Sequence, residues 1–430
     1  MRIRLLPVFF ILLFIVNSVF SQKNSYYKRV FVDAEYYLLY EEYRDALPLY
    51  QEIYKAYPSN YNLSFRIGLC YLHIPSQKSK AITYFEKATQ STTDDYKEGY
   101  FSETKAPREA FLQYGRALRI CGDFDKALQV FSTYKSMLKA EEKDNIRIVN
   151  KEIESLAFAQ QMLSNPRKHI IKPVGRNIKT RFPEKNPLTD STGNFIVYAS
   201  IQRFYNAILI SQKDTGYWSN PLNLNTQLYA DGEIHTVGIS SNGSILILSR
   251  YDNDASNLYY STFDKTRNKW NPITKFPKEI NSKSWENFGS LSTNGDTLYF
   301  SSNREGGFGG FDIYMSTRKG DGEWTNPVNL GKNINTPFDE IAPFVTENSK
   351  KLFFSSNGHQ TMGGFDLVYS EKNGSEWSIP NNLGPPLNTT DDDTFLFPIG
   401  SGNQGYLSKP NAENGEDEDI YHVIIDFTNN

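Results

Sequence analysis

The sequence has few of the residues that most often build reactive sites. Its 430 residues include only 2 cysteines and 5 histidines, and its formal net charge is −3. Two cysteines exclude a disulfide-rich scaffold, and so small a net charge gives no reason to expect a nucleic-acid partner. Aromatic residues, in contrast, are abundant, with 28 tyrosines and 29 phenylalanines. The composition is that of a large folded protein, long enough for two or three domains.

No pattern of catalytic or metal-binding residues stands out. No two of the five histidines have metal-ligand spacing, and no Gly-x-Ser-x-Gly motif occurs. The glycine-rich run from Gly306 to Gly310 leads into the strand-like Asp312-Ile313-Tyr314, so it predicts a turn and not a phosphate-binding loop, which would open a helix. We therefore predict no catalytic residue, no metal and no cofactor.

The first residues have the features of a secretory signal. Arg2 and Arg4 precede an apolar run over residues 5–16, and Ser21 ends a small-residue cleavage site. The run is shorter than the roughly 20 residues that a membrane span needs, and no cysteine follows it to carry a lipid. We predict that residues 1–21 are a signal peptide and that the mature chain is exported with no transmembrane span.

Residues 22–165 show helical periodicity with few strand signals. Within them a small residue is followed by an alanine and then by an aromatic four positions later, as in Gly68, Ala81 and Phe85. This spacing resembles the tetratricopeptide repeat, in which the small residue lets two helices approach closely. Three repeats and a capping helix over about residues 141–163 are predicted, and an unrelated helical bundle is the alternative.

The resemblance implies a concave groove that would bind an extended peptide of a partner protein. The side chains expected to line this groove are mixed aromatic, aliphatic and basic. They are Phe31, Leu38, Phe65, Leu69, Leu112, Arg116 and Arg119. Packing against the neighbouring repeat is the alternative for each of them. Cys70 and Cys121 fall on predicted helices, where we expect buried free thiols.

Residues 166–430 repeat a strand-rich unit. The core of the unit is an alternating apolar run such as Leu298-Tyr299-Phe300-Ser301-Ser302, and it occurs five times. The five copies are residues 195–200, 245–249, 298–302, 352–356 and 405–408. An outer strand led by Trp218, Trp270, Trp324 or Trp377 follows the first four copies, with spacings of 52, 54 and 53 residues. Such a period is typical of a propeller, with one blade per copy.

The fifth copy has no tryptophan-led strand after it. Residues 172–180 match residues 326–336, which form the outer strand of another copy and the link to the next. The N-terminal segment of the domain would thus complete the last blade and leave no open edge in the ring. We therefore predict an α+β multidomain protein in which helical repeats precede an all-β five-bladed propeller closed by its N-terminal strand.

The blade motifs resemble the WD40-like propeller repeats of the TolB type. The Asn-Gly-Asp turn at 294–296, the run Gly310-Phe311-Asp312-Ile313-Tyr314 and the Trp324-Thr325-Asn326-Pro327 run carry the likeness, and blades 1 and 2 depart from it. Helical repeats followed by this propeller look like envelope proteins of the Bacteroidota. There the pair often precedes an OmpA-type domain in proteins associated with gliding and type IX secretion, and this chain stops after the propeller.

One acidic position recurs just before each innermost strand. Its occupants are Glu184, Glu233, Glu286, Glu340 and Asp393. Because innermost strands line the central channel, these carboxylates would ring one channel mouth, where they either bond to the protein itself or bind a cation or cationic partner. Neighbours ~8 Å apart in water would repel by only about 0.5 kcal/mol, so the ring needs no metal.

Together these features favour a non-enzymatic scaffold of the cell envelope. The expected partners are envelope proteins, with cell-wall or outer-membrane components as further candidates, and the expected location is the periplasm. A propeller hydrolase or lyase acting on envelope glycans is the alternative from another class, because loops on a propeller face can assemble an active site that no motif reveals. A ligand sensor that uses the channel is the third.

Overall fold

The computed structural model describes residues 24–175, 177–232, 234–252, 254–411 and 418–427. The chain divides into two compact units, of which the first ends at Ile153 and the second begins at Glu154. The sequence-based boundary, between residues 165 and 166, lies just after the helix that contains this division. None of the helices in the described ranges is long and apolar enough to cross a membrane.

The first unit is built of helices. They are α1 (24–39), α2 (Tyr43–Ala56), α3 (Tyr61–His73), α4 (Lys78–Ala88), α5 (Ala110–Ile120), α6 (Phe124–Met137) and α7 (Lys143–Ser164), which continues into the second unit. A 3₁₀ turn (Pro75–Gln77) and a short parallel pair, β1 (Thr92–Thr93) and β2 (Ala106–Pro107), complete it. Side chains of Asn60 and Asp123 cap α3 and α6 by accepting hydrogen bonds from the free backbone N–H groups of the first turn.

Two glycines set the distance between paired helices. A Cβ on Gly68 would lie 2.7 Å from the ring of Phe85, and a Cβ on Gly115 would overlap the ring of Phe131. Each ring is fully buried where it faces its glycine. The pairs α3–α4 and α5–α6 can therefore approach closely only because these two positions lack a side chain.

The second unit contains the strands of a propeller. The first strand is β3 (Ile170–Pro173), and blade 1 then contains β4 (Glu184–Leu188), β5 (Phe195–Ile201), β6 (Asn206–Asp214), β7 (Tyr217–Trp218) and β8 (Leu222–Asn223). Blade 2 contains β9 (Ile234–Ile239), β10 (Ile245–Asp252), β11 (Ala255–Asp264), β12 (Lys269–Trp270) and β13 (Thr274–Lys275), and blade 3 contains β14 (Glu286–Leu291), β15 (Thr297–Ser302), β16 (Asp312–Thr317) and β17 (Val328–Asn329). Blade 4 contains β18 (Glu340–Val345), β19 (Lys351–Ser356), β20 (Asp366–Asn373), β21 (Glu376–Trp377) and β22 (Asn381–Asn382), and blade 5 contains β23 (Leu396–Ile399), β24 (Gln404–Pro410) and β25 (Glu418–Ile424). A short helix, α8 (Asn225–Leu228), links blades 1 and 2.

Each blade is an antiparallel meander, and its first strand is innermost. The first strands contact one another in a closed cycle, β4 to β9, β14, β18, β23 and back to β4. A five-bladed propeller preceded by a helical region is thus confirmed. In blade 5 the strand β3 pairs with β25, with Ile170 opposite Ile424 and Pro173 opposite Tyr421.

A buried asparagine locks the outer part of three blades. Asn281, Asn335 and Asn388 each accept a hydrogen bond from one backbone N–H of the third strand and donate one to the carbonyl of the same residue. The bonds hold the link to the next blade against the third strand. This explains why the blade link repeats an Ile-Asn or Leu-Asn pair before every first strand of blades 3 to 5.

Candidate functional site

Most of the side chains predicted to line the peptide groove are buried in the first unit. Phe31, Phe65, Leu112 and Arg119 are buried. Leu38, Leu69 and Arg116 are partly exposed. The side chains at the four buried positions pack between neighbouring helices, as in the alternative interpretation. These residues therefore contribute mainly to the helical core.

The segment between α4 and α5 covers the helices that were expected to form the groove. The ring of Phe101 lies 5.7 Å from that of Phe31, and the hydroxyl of Tyr96 donates a hydrogen bond of 2.7 Å to the Asn62 side chain. The carbonyl of Thr104 accepts bonds from the backbone N–H groups at the start of α3. A peptide that binds along α1 and α3 would have to displace this segment.

A buried cation holds the same segment. Arg66 forms ion pairs with Glu35 at 3.0 Å and with Glu98, on the covering segment, at 3.7 Å. Burial raises the pKa of Glu35 in spite of the Arg66 charge beside it. Burial likewise raises the pKa of the Cys70 thiol to about 12, so this thiol stays protonated at neutral pH.

The two arginines of the predicted groove share one carboxylate of the chain. Arg116 Nε lies 2.6 Å from Glu152, and Arg119 forms a second ion pair with it. Burial acts to raise the pKa of Glu152, but Arg119 and Arg116 outweigh burial and hold this pKa below its usual range. Replacing both arginines by glutamate would gather three carboxylates here, so that variant would test the stability of the helical unit and not the groove.

The recurring acidic position has a structural role in the four blades where it is described. Glu184, Glu286, Glu340 and Asp393 are buried. Each carboxylate accepts hydrogen bonds from both the backbone N–H and the hydroxyl of the threonine or serine four residues earlier. The carboxylates thus fix the bend that leads into each first strand. Glu233, the fifth member of the predicted ring, lies outside the described residues.

Two of these carboxylates also have counter-ions. Arg304 lies 3.1 Å from Glu286, and Lys409 lies 3.0 Å from Asp393. Burial raises the pKa of Asp393, although Lys409 opposes it. The four described carboxylates are therefore bonded to the protein itself, which was the first of the two alternatives. No group of three or more potential metal ligands occurs among the described residues.

The buried glutamates predict a pH dependence of propeller stability. Burial raises the pKa of Glu184 and that of Glu340 to about 7, above the ordinary value of 4.5. Because a raised pKa favours the protonated carboxyl in the folded state, each glutamate's contribution to the free energy of unfolding is fully present below pH 4.5. This contribution is lost as the pH rises through about 7. His235 acts in the opposite direction, because burial lowers its pKa to about 4. We expect the melting temperature of E340Q, relative to the unaltered protein, to rise between pH 5 and pH 8. A constant difference across this range would contradict the assignment.

Aromatic side chains fill the axis of the propeller. The ring of Phe344 lies 5.1 Å from that of Phe395 and 5.3 Å from that of Phe397. Phe288 of blade 3 meets Phe395 of blade 5 at 6.3 Å, and rings from two non-adjacent blades can meet only across the axis. At the far end of the first strands a small cavity of about 30 Å³ remains, which is room for about one water molecule.

Exposed aromatic side chains gather at one end of blades 1 to 3. We call them the aromatic face: Phe204, Tyr205, Tyr229, Tyr251, Trp285 and Phe308. All six lie before a first strand, at the end of a second strand or between a second and a third strand, and an antiparallel meander brings these places to the same end of a blade. Phe204 and Tyr229 are the most exposed, at 86% and 76%.

Hydrogen bonds, an ion pair and a ring contact connect the aromatic face from blade to blade. Asn206, next to Tyr205, donates its backbone N–H to Gly232 at 3.1 Å. Asp231 pairs with Arg250, the neighbour of Tyr251, at 2.8 Å. The Tyr251 and Trp285 rings lie 5.7 Å apart, and the backbone N–H of Trp285 donates to the side-chain oxygen of Asn303 in blade 3. The sequence signal for this surface was the departure of blades 1 and 2 from the glycine-rich loop.

The corresponding loop of blade 4 is covered. Thr361 and Met362 are fully buried, and the hydroxyl of Thr361 lies 3.1 Å from that of Ser155, in the part of α7 that belongs to the second unit. A backbone bond of 3.0 Å from Arg167 to Pro385 continues this cover. The aromatic face therefore ends where the chain itself packs on the propeller.

Neither cysteine forms a disulfide, as expected. Cys70 is buried within α3. The expectation of burial is wrong for Cys121, which is exposed because it lies at the C-cap of α5, beyond the packed part of the helix. No shared site brings these two thiols together in the structure.

No protein-family model and no curated protein matches the chain. Among solved structures it is similar to TolB from Acinetobacter baumannii, with 15% identity and a TM-score of 0.37 over 58% of this chain and 56% of that one. It thus spans little more than half the length of that TolB chain.

Two further solved structures are also similar to part of the chain. An endo-arabinase from Bacteroides thetaiotaomicron has 14% identity and a TM-score of 0.40 over 60% of this chain and 97% of that one. The RRP9 WD40 repeats have 10% identity and a TM-score of 0.32 over 59% of this chain and 97% of that one. At such identities and TM-scores these likenesses assign no function to the chain, since one fold hosts many functions.

Proposed function

We propose that the chain is a non-enzymatic scaffold that joins proteins of the cell envelope, with the aromatic face as its docking surface. The exposure of six aromatic side chains at one end of three neighbouring blades carries the proposal. Monomeric proteins rarely expose large contiguous apolar patches. Tyrosine, tryptophan, phenylalanine and arginine are the residues enriched in protein interfaces and their hot spots.

Two arginines extend this surface. The guanidinium of Arg203 lies 5.5 Å from the centre of the Phe204 ring, and that of Arg181 lies 5.0 Å from the centre of the Phe182 ring. Each arginine is exposed. A guanidinium held on a ring keeps its N–H groups available for a carboxylate. A partner with both apolar and acidic side chains fits this surface best.

The proposal includes the finer expectations from the sequence. The helices of the first unit would be tetratricopeptide repeats, supported by the close approach at Gly68 and Gly115. The strand β3 would close the ring, supported by its pairing with β25. Export to the periplasm of a member of the Bacteroidota, with a role in secretion or gliding, rests on the resemblance and on residues 1–21, which lie outside the described residues.

Affinity capture from cross-linked envelopes tests the docking surface. We expect the F204S/Y229S variant to recover the partner at least about tenfold less efficiently, because truncating an interface hot spot costs about 2 kcal/mol or more. The matched control is Y217S/L222S, which removes two side chains of blade 1 that are 76% and 57% exposed on its outer strands. Equal recovery by F204S/Y229S and the unaltered protein, or loss confined to the control, would reject the aromatic face as the docking surface.

A further inference from the structure

Three of the four tryptophans that lead outer strands are hydrogen-bonded to the link from the preceding blade. Asn177 donates its side-chain amide to the Trp218 carbonyl at 2.7 Å, and Asn333 donates to the Trp377 carbonyl at 2.9 Å. At the joint between blades 1 and 2, the side-chain oxygen of Gln227 accepts a hydrogen bond from the backbone N–H of Trp270. An amide side chain thus clamps three of the four tryptophan-led strands.

The joint between blades 2 and 3 is different. Glu279 lies seven residues before Glu286, as Asn333 lies seven residues before Glu340. A carboxylate has no proton to donate to the carbonyl of Trp324, so Glu279 cannot form the bond that Asn177 and Asn333 form at their joints. A cleft of about 640 Å³ opens there, and Glu279 and Trp324 line it. The carboxylate at this position thus lies beside a cleft at the same joint.

Aromatic rings form a wall of this cleft. The Tyr260 and Phe276 rings lie 5.0 Å apart, and the Phe276 and Trp324 rings lie 6.1 Å apart. All three side chains line the cleft. The volume lies within the roughly 300–1,000 Å³ that small-molecule sites occupy. Phe276 and Trp324 are buried and Tyr260 is partly exposed, so a ligand with a flat apolar face would pack mainly on Tyr260.

Charged side chains of both signs lie around the same cleft. They are Lys275, Glu279, Arg318, Asp321 and Glu323. Lys275 is already paired with Asp252 at 3.1 Å, and the Arg318 guanidinium lies over the Trp324 ring, 5.9 Å from its centre. Glu279 has no side-chain partner in the described part of the chain. With both signs present, neither an anionic nor a cationic ligand is favoured, whereas a neutral ligand with many hydroxyl groups can donate to Glu279 and accept from Arg318.

We propose that this cleft binds a short neutral oligosaccharide. One face of a sugar ring is apolar and packs on the aromatic wall, while its hydroxyl groups form the hydrogen bonds with Glu279 and Arg318. The cleft lies at the blade joint and shares no residue with the aromatic face. Saccharide binding and partner capture are therefore separable.

The repeat itself supplies the test. Cellobiose and N,N′-diacetylchitobiose are titrated into the full chain and followed by saturation-transfer NMR and tryptophan fluorescence. We expect at least one disaccharide to bind, and we expect E279N to weaken it at least tenfold, because the amide would restore the clamp to Trp324. The same variant should melt no lower than the unaltered protein. R318A, which alters an exposed side chain, should also weaken binding.

The matched control is N333D, which places a carboxylate at the joint between blades 3 and 4. It should leave disaccharide binding unchanged, as should F204S/Y229S. Failure of both disaccharides to bind the unaltered protein would overturn the proposal. Equal binding by E279N, with its melting temperature unchanged, would also overturn it. Loss of partner capture by F204S/Y229S with unchanged saccharide binding would support both proposals, whereas unchanged capture by this variant would reject the aromatic face and leave the cleft in place.

Discussion

Replacement of residues 166–176 by a Gly-Ser segment of the same length is expected to lower the melting temperature of the propeller by roughly 10 °C. The change removes β3, whose four residues pair with Tyr421–Ile424. Four or five ladder bonds at about 0.5–1.5 kcal/mol each amount to several kcal/mol, a large share of a typical stability of about 5–15 kcal/mol. Differential scanning calorimetry measures the change.

The same replacement should promote aggregation. It would bare the edge of β25, where Val423 is fully buried, and an uncovered edge strand can pair with another molecule. The control is I170A, because Ile170 is 44% exposed and its truncation leaves the backbone ladder intact. Deletion of residues 428–430, which lie outside the described residues, should also have little effect. An unchanged melting temperature for the 166–176 replacement would show that β3 does not close the ring.

Removal of the Glu152 carboxylate is expected to have the second largest effect. The Arg119 side chain is only 4% exposed and pairs with Glu152, so E152A would remove a carboxylate that compensates a buried cation. Breaking a buried pair from one side costs about 3–5 kcal/mol. Circular dichroism at the helical band, followed through urea unfolding, should show the loss in the helical unit.

Two variants separate the charge effect from packing. R116A should cost about 1 kcal/mol or less, because the Arg116 side chain is 33% exposed and Arg119 remains as a counter-ion. R119L/E152L should recover most of the stability that E152A loses, since it removes both charges together. If E152A proved as stable as R116A, the buried pair would contribute nothing and the assignment would be wrong.

The repeat made the propeller predictable. Each blade carries its own apolar strands, three blades carry the asparagine lock and four carry the tryptophan, so five copies in the sequence became five blades around one axis. The recurring acid was also visible in the sequence, with Glu340 as a clear example. Its burial was not, because a carboxylate turns inward only where a threonine such as Thr336 presents an N–H and a hydroxyl to it.

The helical unit shows where periodicity ends. Gly68 and Gly115 mark close helix contacts that their spacing predicted. The segment between α4 and α5 has no counterpart in the repeat, so nothing in the pattern indicated that Phe101 and Tyr96 would pack over α1 and α3. Because the prediction used the order of the helices alone, it gave an open groove, whereas this segment covers the groove in the structure.

The sequence by itself determined which elements form, how many blades there are and which strand can complete the last one, because these depend on local periodicity and on counting repeats. The tertiary structure decided which side chains are bonded within the fold and which are exposed at its surface. Arg119 and Glu152 are far apart in sequence and neutralise each other, whereas Phe204 and Trp285 lie in different blades and share one exposed face. Such outcomes depend on which segments pack together across the fold, and no periodicity within a single repeat encodes them.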